Sequence, residues 1–111
     1  MKISHHDYEH VTVLTVSGDF TADDTEQFAR VVNDRRGAGV RHVIIDCENL
    51  EFVDSAGLES WLRVQESLGE GGGQFRLIRP DETLTTILAL TRLDLAFEAH
   101  PSLEGAVRSL R

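Results

Sequence analysis

Residues 41–47 constrain the fold of this chain more than any other segment, because Val43, Ile44 and Ile45 follow one another with no polar residue between them. A strand with one face in water alternates apolar and polar side chains, whereas a strand covered on both faces is apolar throughout. The segment therefore predicts a strand at a central position in a sheet that is covered on both faces.

Other strands are predicted along the chain. Valines that alternate loosely with threonines in residues 11–16 are typical of a strand with one face in water, and the Ser-Gly-Asp sequence at 17–19 is predicted to end it. Residues 74–79 predict another strand, and residues 95–97 a last one. Residues 1–8 could add a short edge strand.

Four segments have the apolar periodicity of helices. The first two cover residues 21–36 and 55–68, and both are followed by glycines that end helices. The third helix is predicted to begin after Asp81, whose side chain can accept hydrogen bonds from free backbone N–H groups, and Pro101 and Ser102 are predicted to open the fourth.

This alternation of strands and helices predicts an α/β domain. Right-handed crossovers between successive strands produce a mostly parallel sheet. We expect a mostly parallel central sheet of four to five strands with about four α-helices, formed by residues 1–111 as one domain, since 111 residues are ordinary for one domain and short for two.

The composition argues against several classes of protein. A net charge of −8 would repel nucleic acid, and no apolar run approaches the ~18 residues that cross a bilayer. The polar start of the chain does not resemble a signal peptide, so we expect a cytoplasmic location with no membrane insertion. Cys47 is the single cysteine and is expected to be buried and inert. His5, His6 and His10 lack a second group of ligands, so we expect no metal site and no cofactor.

Residues 50–58 join a strand to a helix through small residues. Ser55 stands where the helix is predicted to begin, so its hydroxyl could cap free N–H groups, and Ala56 and Gly57 would let another molecule approach the backbone. A phosphate on Ser55 would be stabilised by the helix N-terminus and would add about −1.5 to −2 charges, which Asp54 would repel. The simpler interpretation is an N-cap serine and a packing glycine, and local physics alone favours it.

The Asp-Ser-Ala-Gly-Leu sequence at residues 54–58, placed after an apolar strand, resembles the signature of STAS-domain proteins of the anti-sigma factor antagonist type. Gly-Asp-Phe at 18–20 resembles the family's Gly-Glu-Leu loop, and residues 41–46 resemble its third strand. Residues 49–53 resemble the approach to the signature, and residues 71–75 the Gly-Gly turn before the fourth strand. The resemblance runs in order along nearly the whole chain.

The resemblance implies a partner-switching cycle. An unphosphorylated antagonist binds an anti-sigma factor that is also a serine kinase, which frees a sigma factor. The kinase then phosphorylates the serine that follows the Asp, here Ser55, and the complex dissociates until a phosphatase removes the phosphate. Ser55 is thus a substrate residue, and the chain is not expected to be an enzyme, since it also lacks the Gly-x-Ser-x-Gly motif of serine hydrolases. The implied contact surface comprises Gly18, Asp19, Phe20, Thr21, Asp54, Ser55, Ala56, Gly57, Leu58 and Glu59.

Two alternatives stay open at this point. The chain could be a cytoplasmic STAS accessory subunit of an ABC-type lipid transporter, or a scaffold component of a larger signalling assembly. Ser55 favours the phosphorylation switch over the transporter subunit, which often has Thr at that position. Thr21, where the family often has an acidic residue, favours the transporter subunit. Glu59 and Trp61 also depart from the family pattern, and Trp61 is compatible with either a core position or an exposed anchor.

Overall fold

The strand predicted to be central lies in the middle of the sheet. In the computed structural model, which describes residues 1–110, strand β3 (His42–Asp46) is buried at every position. It pairs in parallel with β2 (Val11–Phe20) on one side and β5 (Phe75–Ile78) on the other. Val43 and Ile45 belong to the larger of two apolar clusters and Ile44 to the smaller, so β3 is covered on both faces, as its continuous apolar run predicts.

The remaining strands complete a mixed, mostly parallel sheet. Strand β1 (Lys2–Tyr8) pairs antiparallel with β2, and β6 (Glu98–His100) pairs in parallel with β5. Strand β4 (Leu50–Val53) lies off the order β1-β2-β3-β5-β6 and pairs in parallel with β2. The α/β class is therefore confirmed, with six strands in place of the predicted four to five.

Four α-helices surround this sheet within residues 1–110. They are α1 (Thr25–Gly37), α2 (Ser55–Glu70), α3 (Glu82–Leu90) and α4 (Leu103–Arg108), and short 3-10 turns precede α1 and β6. The predicted cap of α3 is confirmed, since Asp81 accepts from Leu84 N–H at 2.7 Å. Helix α4 begins after Ser102, as predicted, and the structure adds that the Ser102 hydroxyl accepts from Gly105 N–H at 3.1 Å. None of these helices combines the length and the apolar character that crossing a bilayer requires.

Strand β2 does not end at residues 17–19, so the prediction of a break there is wrong. The strand continues to Phe20, with a shift of register between Gly18 and Asp19. Gly18 has a φ of 79°. A positive φ favours glycine, because glycine has no Cβ that would clash with the backbone. The glycine marks the point where β2 leaves its partners β1 and β3 and pairs with β4.

The prediction of a last strand at residues 95–97 is also wrong. Leu93–Leu95 is a 3-10 turn, and β6 begins three residues later, at Glu98. Phe97 is buried in the larger cluster, whereas Glu98 and Ala99 are exposed. An edge strand is held by main-chain hydrogen bonds and needs no apolar pattern. The apolar pattern of residues 95–97 therefore predicts the strand there, although the strand itself follows them.

Trp61 is a core residue and not an exposed anchor. Its side chain is fully buried, and its ring centroid lies 5.8 Å from that of Phe20, 6.4 Å from that of Phe75 and 6.0 Å from that of Phe97. Each aromatic pair of this kind contributes roughly 0.5–1.5 kcal/mol beyond the area it buries. The cluster joins α2 to β2, β5 and the segment before β6, and so holds the start of α2 against the sheet.

Cys47 lies at the end of the central strand and is buried, as predicted. Burial raises the pKa of its thiol far above the usual range, and the nearby carboxylate of Asp46 adds to the effect. Because the thiolate is the reactive form of cysteine, this side chain is a packing residue.

Candidate functional site

Asp54, and not Ser55, is the N-cap of helix α2. The backbone of Asp54 is extended, and its Oδ1 accepts a hydrogen bond from the N–H of Gly57 at 2.8 Å. Ser55 is the first helical residue, so the predicted capping role of its hydroxyl is wrong. Asp and Ser are almost equally good N-caps, and the sequence contains them side by side, so it could not decide between them.

Asp54 also bonds to a second part of the chain. Its Oδ2 accepts from the backbone N–H of Ala22 at 3.1 Å, and its own N–H donates to the carbonyl of Phe20 at 3.1 Å. The end of β2 and the start of the following 3-10 turn are thereby bonded to the start of α2. The two segments of the predicted contact surface, 18–21 and 54–59, consequently lie side by side.

Ser55 is exposed at the first position of α2, and within residues 1–110 its hydroxyl makes no hydrogen bond. The first turn of a helix has N–H groups without intrahelical partners. Two of them are occupied here, since Gly57 N–H donates to the Asp54 carboxylate and Leu58 N–H to the Asp54 carbonyl at 3.0 Å. The N–H groups of Ser55 and Ala56 are left to interact with solvent or with a ligand.

Three residues of the predicted contact surface are buried. Phe20, Gly57 and Leu58 contribute packing and not accessible area. A Cβ at Gly57 would lie 2.7 Å from Cδ1 of Phe20, 2.8 Å from Cγ2 of Val53 and 2.9 Å from the Phe20 carbonyl oxygen. Gly57 therefore lets α2 approach β2, and the access for another molecule that the sequence suggested at this residue is not present. The exposed members of the surface are Asp19, Ser55 and Glu59.

Thr21 lies beside a carboxylate although it is not acidic itself. Its N–H and its hydroxyl both point at Oδ2 of Asp24, at 2.9 and 3.3 Å. The backbone N–H of Thr21 is the main reason that the pKa of Asp24 lies below its usual value. The Thr-x-x-Asp spacing, which resembles a capping box, is the sequence signal for this pair, and the sequence analysis missed it.

The surroundings of Ser55 are acidic. There is no Lys or Arg between residues 3 and 29 or between residues 42 and 62, the two stretches that contain the predicted contact surface. The same stretches contain Asp19, Asp23, Glu51, Asp54 and Glu59. A phosphate on Ser55 would therefore meet backbone N–H groups and negative side chains, with no cation from these stretches to neutralise it.

The N-terminal histidines are separate from this site. His5 and His6 lie on β1 and are exposed, and His10 is exposed in the turn that follows. In the part of the chain that the structure describes, residues 1–110, no group of three or more His, Cys, Asp or Glu side chains is placed to hold a metal ion.

The chain belongs to the STAS domain family, whose family model matches residues 2–106. The order of strands and helices is thus that of a STAS domain. This confirms the family that the sequence resembles.

Similar proteins include one from Thermotoga maritima whose name describes it as a candidate anti-sigma factor antagonist. It is 23% identical over 104 residues, which are 93% of this chain and 92% of the relative. A crystal structure of that name and organism superposes with a TM-score of 0.88 at 22% identity, covering 98% of this chain and 94% of the other.

Two further solved structures share the fold. An anti-sigma factor antagonist from Mycobacterium paratuberculosis has a TM-score of 0.83 at 24% identity and covers 99% of this chain and 93% of its own. The Bacillus cell fate determinant SpoIIAA, in its phosphorylated form, has a TM-score of 0.74 at 20% identity and covers 99% of this chain and all of its own. At these identities the superpositions show the common fold.

Proposed function

We propose that this protein is an anti-sigma factor antagonist that binds an anti-sigma factor serine kinase, and that phosphorylation of Ser55 ends this binding. The observation that carries the proposal is the exposed hydroxyl of Ser55, which begins α2 and makes no hydrogen bond within residues 1–110. The names of the relatives support it, as does the existence of a phosphorylated form of SpoIIAA with the same fold.

The geometry around Ser55 suits a reversible switch. A phosphate on the hydroxyl would be close to the N–H groups of Ser55 and Ala56 and to the positive end of the helix dipole. The carboxylate of Asp54 is held by two hydrogen bonds and cannot turn away without losing them. The phosphate would therefore add about −1.5 to −2 charges and a bulky group beside the small residues that begin α2, and a partner that fits closely on the bare surface would be displaced.

In this proposal Ser55 is the substrate of the partner and the chain itself catalyses nothing. The protein would act in the cytoplasm, because sigma factors act there. A phosphatase would return the phosphorylated form to the binding form.

The first test measures phosphate uptake. Each serine kinase of the anti-sigma factor type from the source organism is purified and incubated with this protein and ATP, and the intact mass is recorded. We expect one kinase to add a single phosphate to the wild type and none to Ser55→Ala. Ser4→Ala removes another exposed serine, on β1, and should take up phosphate like the wild type. Phosphate found on a residue other than Ser55 contradicts the proposal.

The second test measures binding to the same kinase. Ser55→Ala should bind like the wild type. Ser55→Asp and the phosphorylated protein should bind about tenfold more weakly or worse, because a charge introduced into an interface without an opposite charge beside it costs several kcal/mol. A transporter subunit or a scaffold component would instead take up no phosphate and would bind equally well as Ser55→Asp. Stable copurification with a transporter ATPase would support the transporter subunit.

A further inference from the structure

Phe52 is an exposed aromatic residue on an edge strand close to Ser55. Its side chain is 48% exposed on β4, which within residues 1–110 pairs only with β2. On its other side, a small cleft between β4 and α3 is lined by Phe52, Thr83, Leu84 and Ile87. Isolated exposed apolar residues are common, so the exposure of Phe52 indicates a binding surface only together with its surroundings.

Acidic residues lie next to Phe52 along the chain, across the strand pair and in the lining of the cleft. Asp19 lies opposite it in the register of β2 and β4, and Glu51 is its neighbour in the chain. Glu51 and Asp81 line both the cleft and an adjoining open groove of about 860 Å³. In the described residues, none of these three carboxylates forms an ion pair with Lys or Arg.

The groove is not entirely acidic in its lining. Lys2 contributes one basic side chain, and Glu48 is paired with Arg79 at 3.3 Å. The three carboxylates without an ion pair nevertheless outnumber the basic side chains that line the cleft and the groove. An apolar residue with a rim of one sign of charge is the arrangement of an interface anchor with electrostatic complementarity.

We propose that Phe52 anchors a docking surface for a basic protein surface, with Asp19, Glu51 and Asp81 as its acidic rim. This inference rests on the proposed function, and it identifies the occupant as the anti-sigma factor kinase, which would present Lys or Arg side chains around an apolar pocket. Nucleic acid is repelled by the rim, and a second copy of this chain would place like charges face to face. The anchor extends the contact surface beyond residues 18–21 and 54–59.

The position of Phe52 couples this anchor to the switch. Phe52 and Ser55 are three residues apart, so their Cα atoms are at most about 11 Å apart. A partner seated on Phe52 would therefore also cover Ser55. A phosphate on that hydroxyl would have to fit inside the interface, where its bulk and the cost of its desolvation oppose docking although its charge suits a basic partner.

The test compares Phe52→Ala with Tyr8→Ala in binding to the kinase without ATP. Tyr8 is also 48% exposed, but it lies opposite Val11, eight positions from Asp19 along β2, or roughly 26 Å away. We expect Phe52→Ala to raise Kd about tenfold or more, with an unchanged thermal midpoint, and Tyr8→Ala to leave Kd unchanged. Equal effects of the two variants, or none from Phe52→Ala, overturn the inference.

A charge reversal tests the rim without removing the aromatic ring. Glu51→Lys should slow association with the kinase several-fold at low salt, and the difference should shrink as salt is added. Glu70→Lys makes the same charge change at the other end of α2, about 22 Å along the helix from Ser55, and should have little effect. Equal salt dependence for the two variants contradicts the acidic rim.

The proposed function and the docking surface are tested separately. If the wild type binds none of the kinases, the proposed function is wrong, and the docking surface is tested with a short peptide of alternating Arg and Leu, followed by amide chemical shifts. Shifts confined to residues 51–53 and 83–87, and lost in Phe52→Ala, support the surface. Shifts spread over all acidic segments, or no shifts, overturn it. If the kinase binds the wild type and Phe52→Ala equally, only the docking surface is wrong.

Discussion

The carboxylate of Asp54 accepts a hydrogen bond from the backbone N–H of Ala22, 32 residues earlier in the chain, at 3.1 Å. Its other oxygen accepts from Gly57 N–H and caps α2. One side chain therefore fixes both the start of the helix that begins with Ser55 and the turn after β2. The shape of the predicted contact surface depends on this carboxylate as much as on the residues that are exposed.

Replacing Asp54 should separate these two roles. Asp54→Ala removes the cap and the bond to Ala22, and we expect a loss of about 1–2 kcal/mol in the free energy of unfolding, measured by urea denaturation. Asp54→Ser keeps a capping oxygen but has no second oxygen for Ala22, so it should lose less. If Ser and Ala at this position are equally destabilising, the cap is not the source of the stability.

Gly57→Ala should destabilise the protein although Ala is the better helix former. The new Cβ would meet the Phe20 carbonyl oxygen, a backbone atom, at 2.9 Å, and overpacking of this kind typically costs about 1–3 kcal/mol. Gly69→Ala lies on the same helix with nothing within 4 Å of its Cβ, and it should stabilise by up to about 1 kcal/mol. Thermal or urea unfolding of both variants measures the contrast. A stabilised Gly57→Ala would contradict the close packing of α2 on β2.

His42 should make the stability depend on pH near neutrality. Its Nδ1 accepts the N–H of Gln74 at 3.0 Å, and burial, followed by the charges of Arg41, Arg76 and His10, lowers the pKa of the ring below its usual 6.5. Above pH 6.5 the ring is neutral in both the folded and the unfolded state, and the stability is fully present. As the pH falls below 6.5, the unfolded state binds a proton before the folded state does, so the free energy of unfolding should fall.

The measurement for this prediction is urea unfolding between pH 7 and pH 5. His42→Asn cannot be protonated there and keeps an acceptor oxygen close to the position of Nδ1, so the fall in stability should become shallower. His6→Asn removes an exposed histidine and should leave the slope unchanged. An unchanged slope in His42→Asn would show that other groups cause the pH dependence.

Glu59 should raise the second pKa of a phosphate on Ser55. The two residues are four positions apart on α2 and Glu59 is exposed, so two negative groups would face each other on one side of the helix. With phosphoserine incorporated at position 55, Glu59→Gln should lower that pKa, which is ordinarily near 6, by about 0.2–0.3 unit in a ³¹P NMR titration. Glu66→Gln, farther along the same helix, should leave this pKa unchanged. If the phosphate has the same pKa in both variants, Glu59 does not influence the charge of the phosphate.

Features that depend on neighbouring residues were predictable from the sequence. The apolar run of β3, the periodicity of α2 and the cap at Asp81 are all set within a few positions along the chain, and each is found in the structure. The family could also be predicted, because residues 54–58, on which the resemblance mainly rests, are contiguous. Local propensity and side-chain periodicity need no knowledge of distant contacts.

Features that join distant residues were decided only by the tertiary structure. The pairing of β2 with β4, the close approach of Gly57 to Phe20 and the bond from Ala22 to Asp54 each connect segments more than thirty residues apart. They determine that Asp54 and not Ser55 caps α2, and they decide which residues of the contact surface are buried. The sequence contains all the groups that can form such contacts. Which of them come together depends on how the whole chain packs, because a helix cap or a closely packed glycine needs a partner that only the tertiary structure brings near.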